Sequence, residues 1–336
     1  MAKIDLLAIQ PTRLCKDLSS RFVLLYGPEK AGKTSTSVMW PKPLLCAFEI
    51  GYHALVGVYP ADIDSWATFK DICRQLKKPE MKERFSTIII DTVAISYNMC
   101  EKYILSREGV SSISEIAYGR GWNMLKDEFE NTFREITRLG YAIVFLAHSK
   151  TIATPYTDEA GNAIEGVTVD LPNACRQIVN RLVDVIAYLS VERKPDGSSS
   201  RYLLTRATPT IFAGSRYRTL QEKIPLGYQE LVDAVAKAME DEAKITGTGF
   251  VSEEEIINNG AIQQEKRSFQ ETMAEAKNLW SSYLEGLEGD EKENHLNIMR
   301  NVIGKIFGNS EFKLSQAIPS QQDLVELFID EMRDLM

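Results

Sequence analysis

The sequence predicts an α/β fold: a mostly parallel sheet with a late β-hairpin, followed by a small helical module at the C-terminal end. Three observations lead to this prediction. Apolar runs typical of buried strands alternate with helical patterns through the first two thirds of the 336 residues. The segment GPEKAGKT, residues 27–34, follows the first of these runs. Beyond about residue 260, the apolar positions recur only with helical spacing.

The first predicted strand, FVLLY, leads into GPEKAGKT, and a helix is expected from Ser35 to Met39. This sequence at a turn between a strand and a helix matches a P-loop, in which main-chain N–H groups point at phosphate oxygens. Lys33 can then reach the outer phosphates of ATP, and the hydroxyl of Thr34 can ligate Mg2+. The alternative is a glycine-rich turn with a surface lysine. The predicted nucleotide-binding residues are Gly27, Pro28, Glu29, Lys30, Ala31, Gly32, Lys33, Thr34 and Ser35.

Two further buried strands are predicted to end in acids, PLLCAFE at Glu49 and FSTIIIDT at Asp91, with a helix over residues 67–78 between them. Such carboxylates lie at the sheet edge where ligands bind in α/β proteins. We expect Asp91 to hold Mg2+ through water, although an acid that caps the next helix would occupy the same position. Glu49 could polarise the water that attacks the terminal phosphate, or could be an ordinary solvated carboxylate.

Helices are predicted over residues 95–107 and 122–139, separated by a poorly periodic stretch at residues 109–121. The fourth buried strand, YAIVFLAHSK, is predicted to end at His148. A histidine there could contact the γ-phosphate and relay its presence to the following segment, or could be a structural hydrogen-bonding residue. Residues 151–172 are predicted to form a long loop.

After a helix over residues 174–182, the segments VDVIAYLSVER and RYLLTRAT predict a β-hairpin around the turn KPDGSSS. A helix over residues 231–243 then closes the core. Arg206 and Arg216 occur at the end of this hairpin or after it. Either arginine could be supplied by one subunit to the nucleotide of the next, which would make hydrolysis depend on assembly, or could be surface charge.

Cations and aromatic side chains also occur around the two irregular stretches. This mixture suits single-stranded DNA, because cations neutralise the backbone and aromatic rings stack on bases. The predicted DNA-binding residues are Arg120, Trp122, Lys150, Tyr156, Arg176 and Arg181. Trp122 could instead be a core residue. Residues 176–218 carry eight basic and three acidic residues, an excess that could meet phosphates.

The predicted organisation is an N-terminal arm (residues 1–20), a core (residues 21–243), a linker (residues 244–260) and a helical module (residues 261–336). The net charge is −8, but residues 1–240 carry 30 basic and 28 acidic residues, whereas the remainder carries 9 and 19. The acidity therefore belongs to the C-terminal part, and it does not exclude a nucleic-acid partner. The helices of the module are expected over residues 261–287, 291–307 and 320–335.

Five cysteines, odd in number and mostly within apolar runs, predict reduced and buried thiols. The first residues do not have the pattern of a signal sequence, and no apolar run approaches the roughly 20 residues that cross a bilayer. We therefore expect a cytoplasmic protein without a membrane partner. His53 and His295 have no partners at metal-ligand spacing, so no zinc site is predicted.

Over about residues 20–225, the order of parts resembles the RecA-like ATPases: a P-loop, strands ending in Glu, in Asp and in FLAHSK, a long loop and a late basic hairpin. It is most similar to phage-encoded nucleotide-binding proteins that act as single-strand annealing or recombination ATPases. The resemblance implies a RecA-like P-loop core in which Asp91 is the Walker B acid and His148 is the γ-phosphate sensor. It implies that the two irregular stretches bind DNA. Through AGSRYR, it makes Arg216 a candidate for contact with nucleotide or a neighbouring subunit.

The function that the resemblance implies is an ATPase that uses ATP and Mg2+, binds single-stranded DNA, and assembles as a filament or a ring. Its hydrolysis would be stimulated by DNA. The acidic helical module would recruit a partner such as a single-strand binding protein, or would compete with DNA for the basic segment. The expected location is the host cytoplasm of a phage-infected bacterium. Alternatives are a nucleotide-dependent scaffold or switch that recruits replication or recombination proteins, an ATP-driven DNA motor, and a small-molecule phosphotransferase.

Overall fold

The computed structural model describes Leu18, residues 21–247 and residues 268–335. These residues form two compact units, which we call the core unit (residues 21–247, with Leu18) and the C-terminal unit (residues 268–335). The predicted N-terminal arm, residues 1–20, lies outside the described residues apart from Leu18. Most of the predicted linker, residues 244–260, also lies outside them.

One sheet of ten strands runs through the core unit. The strands are β1 (Phe22–Gly27), β2 (Pro43–Ala47), β3 (Tyr59–Asp62), β4 (Thr87–Asp91), β5 (Ala142–Thr157), β6 (Ala163–Val169), β7 (Val185–Arg193), β8 (Ser199–Leu204), β9 (Gly214–Ser215) and β10 (Lys223–Pro225). Their order is β10-β8-β7-β1-β5-β4-β2-β3, with β6 paired to β5 and β9 paired to β7. The strands from β7 to β3 in this order are parallel, whereas β8 and β10 are antiparallel to their neighbours. This order confirms the predicted α/β fold class, a mostly parallel sheet with a late hairpin.

Helices cover both faces of the sheet. They are α1 (Lys33–Ser37), α2 (Trp66–Gln75), α3 (Pro79–Arg84), α4 (Val93–Glu108), α5 (Arg120–Arg138), α6 (Asn173–Leu182) and α7 (Tyr228–Thr246). One face packs against α2, α4, α5 and α6, with Phe129 and Phe133 of α5 fully buried. The other face packs against α7 through Leu231 and Val235. Because β1 is buried on both faces, its sequence is apolar throughout.

The prediction of a long loop over residues 151–172 is wrong. β5 does not end at His148 but continues to Thr157, and the chain returns antiparallel as β6. Most side chains of the outer part of this hairpin are exposed, so no apolar run or alternation marks it in the sequence. Main-chain hydrogen bonds between β5 and β6 build it instead. Its inner end is also held by the loop after β8, where the N–H of Val167 donates to the carbonyl of Thr210 at 2.7 Å.

Two smaller differences have similar causes. β3 was not predicted, because it is a short edge strand whose residues are mostly exposed. The helix after GPEKAGKT was expected over residues 35–39 but comprises Lys33–Ser37, after which the chain turns into the buried Trp40. The long amphipathic helix predicted over residues 122–139 is α5, which begins two residues earlier.

The C-terminal unit consists of three helices, α8 (Phe269–Tyr283), α9 (Gly289–Phe307) and α10 (Gln322–Leu335). A capping box begins α8, because the side chains of Ser268 and Glu271 each accept a hydrogen bond from the main-chain N–H of the other. The unit has its own apolar core, to which Met299, Ile303 and Phe328 contribute. The predicted helical module is therefore confirmed for the described residues, in which α8 ends at Tyr283 rather than at residue 287. Residues 261–267 of the predicted first helix lie outside them.

Four of the five cysteines, Cys46, Cys73, Cys100 and Cys175, are buried and free, as predicted, and Cys15 lies outside the described residues. Burial raises the pKa of each of these four thiols, so they remain protonated and unreactive near neutral pH. In the described parts of the chain, no helix combines the length and the apolar character needed to span a bilayer.

Candidate functional site

Both glycines of GPEKAGKT are required by the geometry of the turn between β1 and α1. A Cβ atom at Gly27 would lie 2.9 Å from the carbonyl oxygen of Leu189 on β7, which is too close for any side chain. Gly32 has a φ of 107°, a conformation that residues with a side chain rarely adopt. The turn therefore has the close strand contact and the left-handed backbone that explain the spacing of the motif.

The ammonium group of Lys33 lies on the loop itself. It donates hydrogen bonds to the carbonyls of Gly27, at 3.0 Å, and Pro28, at 2.7 Å, and the side chain is buried. Burial lowers the pKa of Lys33, while the carboxylates of Asp91, Glu29 and Glu49 oppose that shift. The loop thus holds a desolvated cation where an anion can be bound.

Thr34 meets Asp91 at the carboxyl edge of the sheet. The Thr34 hydroxyl donates to Oδ2 of Asp91 at 2.8 Å, even though β5 separates β4 from β1. Burial raises the pKa of Asp91 and the nearby Glu49 adds to the effect, whereas the bond from Thr34 and the cationic neighbours oppose it. A hydroxyl and a carboxylate are oxygen ligands that Mg2+ prefers, so these two residues fit that ion.

The end of β2 is tied to the end of β4. The N–H groups of Phe48 and Glu49 both donate to the carbonyl of Asp91, at 2.8 and 3.0 Å. This brings the Glu49 carboxylate within 3.6 Å of Nε2 of His148, the register partner of Gly27 on β5. The other ring nitrogen of His148, Nδ1, is buried without a hydrogen-bond partner among the described residues. Five predicted site residues, Lys33, Thr34, Glu49, Asp91 and His148, are therefore gathered at one sheet edge.

The two predicted arginines are not at this edge in their own chain. Arg216 donates to Asp184 at 3.1 Å and to the carbonyl of Arg181 at 2.5 Å, near the beginning of β1 and β7. Arg206 pairs with Glu222 at 3.3 Å and contacts main-chain carbonyls after β9. A role for either one toward the nucleotide of a neighbouring subunit stays a prediction.

The predicted DNA-binding residues occupy three places in the core unit. Arg120 and Trp122 begin α5, Lys150 and Tyr156 lie on β5, and Arg176 and Arg181 lie on α6. Trp122 is 48% exposed and is therefore not a core residue. Lys150 is paired with Asp170 at 2.9 Å, and Arg181 is paired with Glu130 at 2.5 Å. Arg120 and Arg176 have no ion pair within residues 21–247, so they are the members of this set with free charge.

One residue beside the loop was missed by sequence reasoning. Arg201, on β8, is close to Gly32. The hairpin prediction could have found it, because a strand that returns beside β7 must begin near the edge where β1 ends. Nothing in the local sequence RYLLTRAT distinguishes this arginine from a surface cation.

Comparisons with known proteins identify a family and one full-length relative. The family model described as "AAA domain" (AAA_24) matches residues 19–217, which is more than half of the chain. The SPbeta prophage-derived uncharacterized protein YorG of Bacillus subtilis (strain 168) is 26% identical over 344 aligned positions, which cover 99% of each chain.

Two solved structures are also similar to this chain, each with a TM-score below 0.5. A KaiC-like protein of Pyrococcus horikoshii OT3 has a TM-score of 0.35 at 10% identity, covering 64% of this chain and 94% of its own. The flagellar accessory protein FlaH of Methanocaldococcus jannaschii has a TM-score of 0.32 at 12% identity, covering 61% and 84%. The family match spans the P-loop, Asp91 and His148, and the chain belongs to the AAA-domain family of P-loop ATPases.

Proposed function

We propose that the protein binds ATP with Mg2+ at residues 27–35 and hydrolyses it. One observation carries the proposal: the Thr34 hydroxyl donates to Asp91 at 2.8 Å while the buried ammonium of Lys33 lies on the loop that precedes it. Groups suited to phosphate and groups suited to a divalent cation thus meet at one sheet edge. Membership of a P-loop ATPase family supports the same activity.

The roles follow from the chemistry of each group. Pro28 has no N–H, so the main-chain donors for phosphate come from the residues between Glu29 and Thr34, together with the Lys33 ammonium. Thr34 and Asp91 would hold Mg2+, which neutralises charge on phosphate oxygens when bound. Glu49 accepts the proton of the attacking water. Nε2 of His148 lies 3.6 Å from the Glu49 carboxylate, and His148 would be the γ-phosphate sensor.

Nucleotide binding and turnover test this proposal in three variants. Lys33→Ala should lose nucleotide binding by about a hundredfold or more, since a desolvated charge partner of phosphate is removed. Glu49→Gln should keep binding but lose turnover by about 10²- to 10⁴-fold, the usual contribution of a general base. Lys237→Ala, on the exposed side of α7, is the matched control and should behave as wild type. Wild-type turnover in Lys33→Ala would remove the P-loop from the mechanism.

We further propose single-stranded DNA as the ligand whose binding depends on the nucleotide. The supporting observation is that Trp122 and Tyr156 are 48% and 47% exposed, while Arg120 and Arg176 carry charge that no carboxylate of the core unit neutralises. The hairpin of β5 and β6 is less favourable for binding the DNA backbone, because residues 149–170 contain one basic and four acidic residues. Among the predicted DNA-binding residues, Arg120 and Arg176 in the first turns of α5 and α6 are therefore the ones that would attract phosphate.

Fluorescence anisotropy with labelled single-stranded DNA, measured across salt concentrations with and without an ATP analogue, tests this second proposal. Removing one cation that binds a phosphate should reduce the slope of log affinity against log salt by about 0.7. Arg120→Ala and Arg176→Ala should each show that reduction, and turnover should rise when DNA is added to the wild type. Absent DNA binding would favour a nucleotide switch or scaffold, and strand separation would favour a motor.

Self-assembly as a ring or a filament is the third part of the proposal. If Arg216 or Arg206 acts on the nucleotide of a neighbour, an Arg→Ala variant and Lys33→Ala should each be inactive alone. A mixture of the two would regain activity, because some boundaries contain one intact P-loop and one intact arginine. Sedimentation with and without the ATP analogue measures assembly directly. If the mixed variants assemble but ATP turnover does not recover, neither arginine acts on a neighbouring nucleotide, and both are structural residues.

A further inference from the structure

Arg201 lies beside the P-loop of its own chain. A Cβ atom built on Gly32 would be 3.4 Å from Nη1 of Arg201 and 3.7 Å from a methyl group of Leu226. The main chain of Arg201 is held on both sides, because it is the register partner of Val191 on β7 and its carbonyl accepts a 3.0 Å hydrogen bond from the N–H of Leu226. A rigid sheet therefore presents this guanidinium to the loop.

The register of the sheet explains this position. Leu189 on β7 lies against Gly27, where β1 ends and the loop begins. Arg201 is opposite Val191, two residues further along β7, so it extends past the end of β1. Arg201 also shares a face of β8 with the buried Leu203, and that face is the one covered by α7.

The charge of Arg201 is free. Its side chain is exposed, and within residues 21–247 no carboxylate pairs with it. Lys223 and Lys150, by contrast, are paired with Glu192 at 2.7 Å and with Asp170 at 2.9 Å. A guanidinium carries a planar fork of donors that matches phosphate oxygens. A free guanidinium beside a loop of main-chain N–H groups is therefore suited to an anionic ligand.

Arg201 approaches the loop from the side opposite to Asp91. Asp91, Glu49 and His148 come from β4, the end of β2, and β5, which lie on one side of β1, whereas β8 lies on the other side beyond β7. On the β4 side of β1, Asp91 and Thr34 would hold the metal ion that neutralises charge on the terminal phosphate. We propose that Arg201 binds, in cis, the phosphate oxygens that ADP and ATP have in common, and thereby sets the affinity for both nucleotides. This proposal rests on nucleotide binding at the P-loop.

Isothermal titration calorimetry with ADP and with a non-hydrolysable ATP analogue, each with Mg2+, tests it. Arg201→Ala should weaken both ligands by a similar factor of about 10 to 100, the effect of losing one charge-assisted hydrogen bond. Arg201→Lys keeps the positive charge but lacks the planar pair of donors. Its affinities for both nucleotides should lie between those of Arg201→Ala and the wild type. Arg193→Ala is the matched control, because Arg193 is an exposed cation two residues further out on the same hairpin. Its affinities should stay within about twofold of wild type.

The outcomes separate this proposal from the one that it rests on. If the wild type binds both nucleotides and Arg201→Ala binds them equally well, the role of Arg201 is wrong and the P-loop assignment stands. A fall in turnover with unchanged ADP affinity also overturns it, since the residue would then act on the terminal phosphate or on a neighbour. A folded wild type that binds neither nucleotide overturns nucleotide binding itself. Thermal unfolding of each variant checks the fold, and Arg201→Lys carries the test if Arg201→Ala is unstable.

Discussion

Lys33 is buried and Asp91 is partly buried, and the pKa of each is shifted toward the neutral form. Burial lowers the pKa of Lys33 and raises that of Asp91, so each charged group is disfavoured by the fold that holds it. A bound phosphate would stabilise the ammonium, and a bound divalent cation would stabilise the carboxylate. Keeping these two groups charged without a ligand therefore reduces the stability of the free protein.

Replacing Asp91 by Asn should therefore stabilise the free protein while abolishing turnover. Because the folded-state pKa of Asp91 is raised, the wild type loses stability relative to the variant as pH rises through that pKa. We expect a gain of about 0.5–2 kcal/mol at pH 7 that disappears at acidic pH, where the wild-type carboxyl is protonated. Thermal unfolding across pH, without nucleotide or Mg2+, measures it. A lower unfolding temperature for Asp91→Asn at pH 7 would contradict the prediction, and Asp233→Asn on α7 is the surface control.

The contact between Gly27 and β7 allows a second test at this scale. Gly27→Ala should destabilise the core unit by about 1–3 kcal/mol, since its Cβ would press on the main chain of Leu189 at 2.9 Å. Gly51→Ala is the matched control, because a Cβ at Gly51 would meet nothing within 4 Å. Urea unfolding compares the two. Equal stability for the two variants would show that β1 and β7 can separate without cost.

At the scale of elements, the hairpin of β5 and β6 is the feature that most changes the functional interpretation. The resemblance implied a loop that binds DNA, but the hairpin is ordered by main-chain pairing and is acidic. Its one cation, Lys150, is already paired with Asp170. The hairpin can therefore contribute aromatic stacking through Tyr156, while its charge opposes a phosphate backbone.

Removing acidic charge from this hairpin should strengthen single-stranded DNA binding. Glu159→Gln and Glu165→Gln replace exposed carboxylates by neutral side chains of the same length, so the fold should be unaffected. We expect affinity at low salt to rise about two- to fivefold for each change, and the gain to shrink as salt is added. Anisotropy titrations at several salt concentrations measure it. Unchanged affinity at low salt would place the DNA away from the hairpin.

At the scale of the whole molecule, charge is divided between two units with separate cores. The C-terminal unit carries 13 acidic and 6 basic residues within residues 268–335. The acidic part of the chain does not begin at a structural boundary, however. α7 runs to Thr246, with Ala243 buried, and the Thr219 hydroxyl donates to the carbonyl of Ala238 at 2.7 Å. A deletion that begins at Asp241 would therefore damage the core unit.

A chain that ends at Gly247 should keep the stability and nucleotide affinity of the core unit. If the acidic helices compete with DNA, this shortened chain should bind single-stranded DNA more tightly than the full chain at low salt, with the difference vanishing at high salt. A chain that ends at residue 240 is the contrasting variant and should unfold at a lower temperature. Equal DNA affinity in the full and shortened chains would contradict the competition and leave the C-terminal unit as a docking module for a protein such as a single-strand binding protein.

Features that depend only on neighbouring residues in the chain could be predicted from the sequence by itself. The apolar runs of β1, β2 and β4, the glycine spacing of the loop, the acid after β2 and the acid at the end of β4 are all local patterns, and each was found. The helical periodicity of α5 and of the C-terminal unit was equally readable, because a buried face imposes it.

Only the tertiary structure decided which distant residues meet. The pairing of β5 with β6 depends on main-chain hydrogen bonds between exposed residues, and such bonds leave no pattern of side chains. Likewise, the 3.6 Å approach of Glu49 to His148 and the position of Arg201 beside Gly32 are set by strand order and register. Strand order and register come from packing across the whole sheet, so no short stretch of sequence contains them.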